Sequence, residues 1–331
     1  MTYDVSRRSL LALGAGLATD FATGLGAATM LGSSALAKAP KLGTQSPYFH
    51  RFDLGAAEVT VVSDGPLPLG PPKGTFVGVP DEEVRKMLVD NFLSPDNVVL
   101  EQNSPIVNTG EKLVLFDTGM GTSQLFGPTT GRSQKSMAEA GIKPEDIDAV
   151  VLSHAHVDHI GGVVDASGKV LFPNAQFYIA QSDFDYWTDE GKLGSPLKDF
   201  VVHARKNLLP VRDRLVFYKD GQEFLPGIQA MAAPGHTVGH HMFMITSSDK
   251  SFAFLGDLTH HAVLLLEKPL MEFSYDTDPK QAAQSRVKML TMLAANKTPV
   301  MSYHFAWPGY GHVAKTGDGF HYYPEPMQML L

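Results

Sequence analysis

Four groups able to bind a metal ion stand within six consecutive residues of this chain, His154-Ala155-His156-Val157-Asp158-His159. They follow the apolar run Ala149-Val150-Val151-Leu152 directly and precede Ile160-Gly161-Gly162. A short apolar run of that kind reads as a buried strand. His154 and His156, two residues apart in an extended segment, point the same way, and Asp158 and His159 come at the turn into the glycines. Burying three imidazoles and a carboxylate without a cation would strand polar groups at roughly 2–7 kcal/mol each. The cluster therefore predicts a metal site rather than packing.

Composition narrows the chemistry further. The 331 residues contain no cysteine, so disulfides, thiolate ligands and a cysteine nucleophile are all excluded, and 13 histidines with 35 acidic residues are left to do the work. Hydrophobic residues make up 44% and charged residues 19%, the balance of a globular chain. A formal charge of −8 opposes the phosphate backbone, so no nucleic-acid partner is expected.

The opening segment reads as an address. Ser6-Arg7-Arg8-Ser9-Leu10-Leu11 leads into a Gly/Ala-rich apolar run that reaches Ala35-Leu36-Ala37. A basic start, an apolar middle and an A-x-A end make an export signal, here of the twin-arginine type. Residues 1–37 are expected to be removed, giving a periplasmic or secreted protein that crosses the membrane folded with its cofactor in place. Asp20 and the glycines make the run a poor span of the ~20 apolar residues a membrane helix needs, so no stable anchor is expected after cleavage. Residues 38–331 then form one domain.

Within that domain the patterns alternate between strands and helices. Strands are expected over 58–64, 149–152, 175–180, 228–233, 241–246, 251–255 and 298–302, with a hairpin joining 106–108 to 112–116. Helices are expected over 80–92, with Val84, Leu88 and Phe92 on one side, and over 133–140, 196–208 and 279–295. Clustered strands with intervening helices suggest two sheets packed face to face with helices outside.

More ligand-type groups stand at the ends of these strands: Pro234-Gly235-His236-Thr237-Val238-Gly239-His240, Leu255-Gly256-Asp257 and Tyr303-His304. Together with the first cluster they supply what a two-metal site requires, three neutral nitrogens for one ion and a mixed nitrogen and oxygen set for the other. His240, His241, His260 and His261 are read as supporting or surface groups, and His312 as structural.

From Glu58 to Tyr323 these motifs resemble the metallo-β-lactamase fold superfamily. Leu125-Phe126-Gly127-Pro128-Thr129, Asp185-Tyr186-Trp187 and His304-Phe305-Ala306-Trp307-Pro308-Gly309-Tyr310-Gly311-His312 resemble its methyl parathion hydrolase branch, which has lactone-hydrolysing relatives. The resemblance implies an α/β fold, a four-layer αβ/βα sandwich of two mixed sheets with outer helices. It also implies two divalent ions, zinc first and manganese, cobalt or iron as alternatives. One ion would take His154, His156 and His236; the other would take Asp158, His159 and His304, with Asp257 bridging. Asp117 would orient a ligand imidazole through its other ring nitrogen. Phe126, Trp187, Phe305 and Trp307 would wall a pocket for an apolar group, and the branch often forms homodimers.

Such a site activates water near neutral pH, which agrees with the lack of a G-x-S-x-G nucleophile motif. Asp158 or Asp257 would pass a proton to the leaving group. The expected substrate is a small hydrophobic lactone or aryl ester, with phosphotriesters as a lesser activity. A glyoxalase-like thioester hydrolase and a mononuclear iron persulfide dioxygenase are the alternatives. The first lacks a basic carboxy-terminal cluster here; one iron per chain would favour the second.

Overall fold

The computed structural model describes residues 41–327; the expected export signal over 1–37 lies outside them. Strands of the first sheet run Phe49–Leu54, Ala57–Ser63, Asn103–Asn108, Leu113–Phe116, Ala149–Val151, Gln176–Ala180 and Leu215–Tyr218 in spatial order. Hairpin pairing is antiparallel up to Leu113–Phe116, and pairing is parallel from there to the far edge. The second sheet orders Glu223–Leu225, Ile228–Ala232, His241–Ser247, Lys250–Phe254, Val300–Met301, Tyr310–Thr316 and Gly319–Pro324. It is antiparallel except where Lys250–Phe254 meets Val300–Met301.

Strand alternation sorts the side chains into layers. Val59, Val61, Val107, Val114, Phe116 and Val151 face Ala230, Phe243, Ile245, Phe252 and Phe254 in the core between the sheets. The opposite face of the first sheet, including Val62, Ile106, Leu115 and Val150, packs on Phe184, Val201, Ala204 and Leu208 of the helices Gln181–Thr188 and Lys198–Leu208. Helix Pro279–Asn296 covers the second sheet through Met289, Leu290 and Leu293. The result is the four-layer α/β sandwich.

Four short segments build a smaller core to one side. Leu67–Gly70 pairs with Val98–Leu100, and Phe76–Val77 with Glu272–Phe273. Their apolar residues join Val84, Met87 and Leu88 of helix Asp81–Asp90. The expected helix over 80–92 ends early. The Leu93 N–H reaches back to the Leu88 carbonyl, Phe92 turns left-handed at φ 60°, and its ring is 99% exposed instead of sharing the buried face.

Candidate metal centre

The ligand-type residues follow strand ends: Asp117 after Phe116, His154 after Val151, His236 after Ala232, Asp257 after Phe254 and His304 after Met301. Strands 228–232, 250–254 and 300–301 run the same way, so their ends meet at one edge of the second sheet. Open α/β folds place their sites beyond such ends. Two buried groups gather there, His154 with His156 and His236, and Asp158 with His159, Asp257 and His304; the ligand-type atoms of each lie within 4.8 Å of one another.

The orientation of four of the five imidazoles is set from behind. Nδ1 of His159 lies 2.8 Å from Asp117, Nδ1 of His236 lies 2.8 Å from Asp276, and Nδ1 of His304 donates to the Glu101 carbonyl at 2.8 Å. Nδ1 of His154 contacts the Ser153 hydroxyl at 3.0 Å. With Nδ1 engaged in these four, Nε2 is the nitrogen turned to the centre, the one left to coordinate a metal.

The centre is unsatisfied by protein groups alone. Nε2 of His236 faces Nε2 of His154 at 3.2 Å. Nε2 of His159 and Oδ1 of Asp257 are 3.2 Å apart, yet neither has a hydrogen-bond partner. Such orphaned buried atoms call for a cation between them, and a nitrogen-rich set with two carboxylates suits two divalent ions.

Electrostatics say the same. Burial and neighbouring imidazoles push His154 and His156 well below the ordinary histidine value. Burial also opposes charge on His159, but Asp257, Asp158 and Asp117 outweigh it and raise that imidazole well above its ordinary value. The carboxyl of Asp257, despite burial, is held well below its usual range by His159, His304 and His260, and Asp158 is lowered to about 2. The carboxylates demand positive charge.

A model of the family described as the metallo-beta-lactamase superfamily matches residues 98–302. The chain belongs to this superfamily. The matched span holds six of the seven ligand-type side chains, and His304 stands two residues past its end. An N-acyl homoserine lactonase of Bacillus cereus is 27% identical over 259 residues, covering 72% of this chain and 91% of that enzyme. Among solved structures, AidC, a dizinc quorum-quenching lactonase in complex with the product N-hexanoyl-L-homoserine, is 32% identical with a TM-score of 0.80, covering 85% of this chain and 98% of that one. The hydrolase AbOPH is 26% identical with a TM-score of 0.79, covering 86% and 100%.

A pocket opens onto this superfamily centre. Leu67, Leu69, Leu100, Phe126, Phe200, Phe273 and Tyr275 form its apolar wall beside His156, Asp158, His236, Asp257, His260 and His304. Of the four aromatics expected there, only Phe126 lines it. Trp187 is 1% exposed, buried against His156 and Phe200 under the first sheet. Phe305 packs in the core beneath helix Pro279–Asn296. Trp307 lies against Tyr48 and the inter-sheet core. Trp187 lies on the buried face of helix Gln181–Thr188, and Phe305 and Trp307 sit in the loop that follows Val300–Met301 with their rings turned to the cores.

Two supporting residues, Asp183 and Asp276, carried no local signal. Asp183, fully buried, accepts the N–H of Ala155 at 2.7 Å and of Gly239 at 2.6 Å, tying the two histidine loops together. Asp276 sits behind His236, its other oxygen 3.9 Å from the buried guanidinium of Arg286. His260, read as a supporting or surface group, is buried and lines the pocket, with Nε2 3.0 Å from Asp257. His240 braces the site by accepting the Asp257 N–H at 2.9 Å.

Proposed function

We propose that this metal-dependent hydrolase is a dizinc lactonase, with aryl esters as its next substrate class and phosphotriesters as a minor one. The observation that carries the reading is the pocket: an apolar wall, with neither lysine nor arginine lining it, leads directly to the two ligand groups. Such a wall accepts a neutral substrate with an alkyl or aromatic arm and offers nothing to a carboxylate or phosphate tail. The same feature counts against a thioester substrate carrying a charged peptide.

His154, His156 and His236 would hold one ion, and Asp158, His159 and His304 the other, with Asp257 shared. When bound, the ions supply Lewis acidity that acidifies a water and polarises the substrate carbonyl. The chain's own residues do the rest. Asp117, Asp276 and the Glu101 carbonyl fix the imidazole tautomers, and Asp183 keeps the two histidine loops at their mutual spacing. Asp158 or Asp257, each turned into the pocket, would take the proton released by the attacking water and pass it to the departing oxygen as the acyl bond breaks. Phe126, Phe273 and Tyr275 hold the alkyl arm and exclude water.

The test measures metal content together with rates for an N-acyl homoserine lactone, a 4-nitrophenyl ester and a phosphotriester on chain 38–331. Two zinc ions and rates falling in that order are expected. A chain holding two ions that turns over none of the three overturns the reading. Export through residues 1–37 is part of the proposal and is checked by the amino terminus of the exported protein.

A further inference from the structure

Asp64, just past strand Ala57–Ser63, is fully buried and belongs to no part of the metal centre. Its carboxylate faces no cation and is held only by hydrogen bonds. Oδ2 accepts the N–H of Met120 at 2.9 Å and of Gly131 at 2.9 Å, while Oδ1 accepts the N–H of Ser133 at 2.8 Å and its hydroxyl at 2.5 Å. Met120 and Gly131–Ser133 are the two stems of one loop. Residues 121–130 arch between them, and the arch carries Phe126 into the pocket wall.

The stems admit little slack. Gly121, at φ +57°, and Gly131, at φ +76°, are packed so closely that a Cβ would come within 2.0 Å of the Gly161 carbonyl oxygen and 2.5 Å of that of Gly121. The arch is tied to the rest of the protein by few hydrogen bonds, and Phe126 packs on the small core of Leu67, Phe76 and Leu100. Thr129 donates to the Pro66 carbonyl at 2.7 Å and Lys206 to the Thr122 hydroxyl at 3.2 Å. Phe126 ends edge-on to Tyr275, ring centroids 5.9 Å apart. The loop that carries Phe126 is thus anchored on a carboxylate that belongs to neither ligand group and does not line the pocket. Burying such a charge without a cation is costly unless several donors hold it, and here every donor belongs to the loop.

We propose that Asp64 is the positioning residue that sets selectivity for the apolar arm of the substrate, by clamping both stems of the 120–133 loop and so fixing Phe126. The inference rests on the hydrolase pocket proposed above. Replacing the carboxylate with an amide turns an N–H₂ group toward backbone N–H donors and loosens at least one stem. A displaced Phe126 costs contact with a long alkyl arm and almost none with a short one.

The test compares zinc-loaded wild type, Asp64→Asn, Phe126→Ala and the double variant, with metal content measured for each. The readout is the ratio of kcat/KM for N-decanoyl over N-butanoyl homoserine lactone, and the same ratio for 4-nitrophenyl decanoate over butanoate. Each single variant should keep two ions and lower the ratio about tenfold, the order that one or two apolar contacts command. The double variant should fall no further than the stronger single one, since both changes act through one ring. An unchanged ratio, a loss common to both chain lengths, multiplying losses in the double variant, or loss of an ion in Asp64→Asn each overturns the inference. If only the nitrophenyl esters turn over, the lactone reading fails and the ester ratio decides the role of Asp64. If nothing turns over, the ratio of calorimetric Kd values for decanoate and butanoate decides it. Should Asp64→Asn not fold, Ser133→Ala, which removes two-bond support of Oδ1 to one, must lower the ratio in the same direction; no change there overturns the role.

Discussion

Oδ2 of Asp117 lies 2.8 Å from Nδ1 of His159, and the same carboxylate accepts the N–H and the hydroxyl of Ser153, each at 2.8 Å. Asp117 holds this pose in the left-handed region, φ 56°, which aspartate tolerates better than most residues. One side chain thus fixes both the tautomer of a ligand and the start of the histidine turn. Asp117→Asn should weaken metal affinity about 10–100-fold, read by competition with a chromogenic chelator. Unchanged affinity would show that His159 needs no carboxylate behind it.

Asp257 stands among both ligand groups, 3.1 Å from Nε2 of His236 and 3.2 Å from Nε2 of His159. Asp257→Ala should bring the metal content down from two ions towards one and lower turnover on the order of 10²-fold or more. Elemental analysis beside rate measurement checks both; two firmly held ions in the variant would remove Asp257 from the shared position.

The pH response of the metal-free chain isolates Asp183. Burial raises its carboxyl to about 6, above the ordinary 3.8. The folded chain therefore takes up a proton more readily than the unfolded one. The stability this group contributes is complete below pH 3.8 and is lost as pH climbs through 6. Relative to Asp183→Asn, whose own cost does not vary with pH, the wild type should lose on the order of 2–3 kcal/mol across that window. Urea unfolding at a series of pH values measures it, and a flat difference rejects it.

Trp187 belongs to the core and not to the pocket wall. Trp187→Ala should lower unfolding free energy by about 3–5 kcal/mol while leaving the decanoyl to butanoyl preference as in wild type. A change in that preference would return Trp187 to the substrate.

What the sequence discloses and what it hides divide along contact distance. His154, His156, Asp158 and His159 announce themselves because their spacing is local, and His236, Asp257 and His304 because each ends a legible strand. Asp183 and Asp276 act on residues 28 to 56 positions away, where no short pattern reaches. The pocket wall was the least legible part. Leu67, Leu69, Leu100 and Phe273 come from strands of two to four residues, too short to show a period. The sandwich itself was readable, since long alternating runs such as Ala57–Ser63 declare which face is buried.

The first sheet provides His154 through His159, and the second provides His236, Asp257 and His304. Each ion would therefore rivet one layer to the other, joining positions as far apart in the chain as Asp158 and His304. At a free metal concentration a thousandfold above Kd, such a rivet adds about 4 kcal/mol per site. Starving the protein of metal would thus do more than silence it: the sandwich would lose its fastening along one edge.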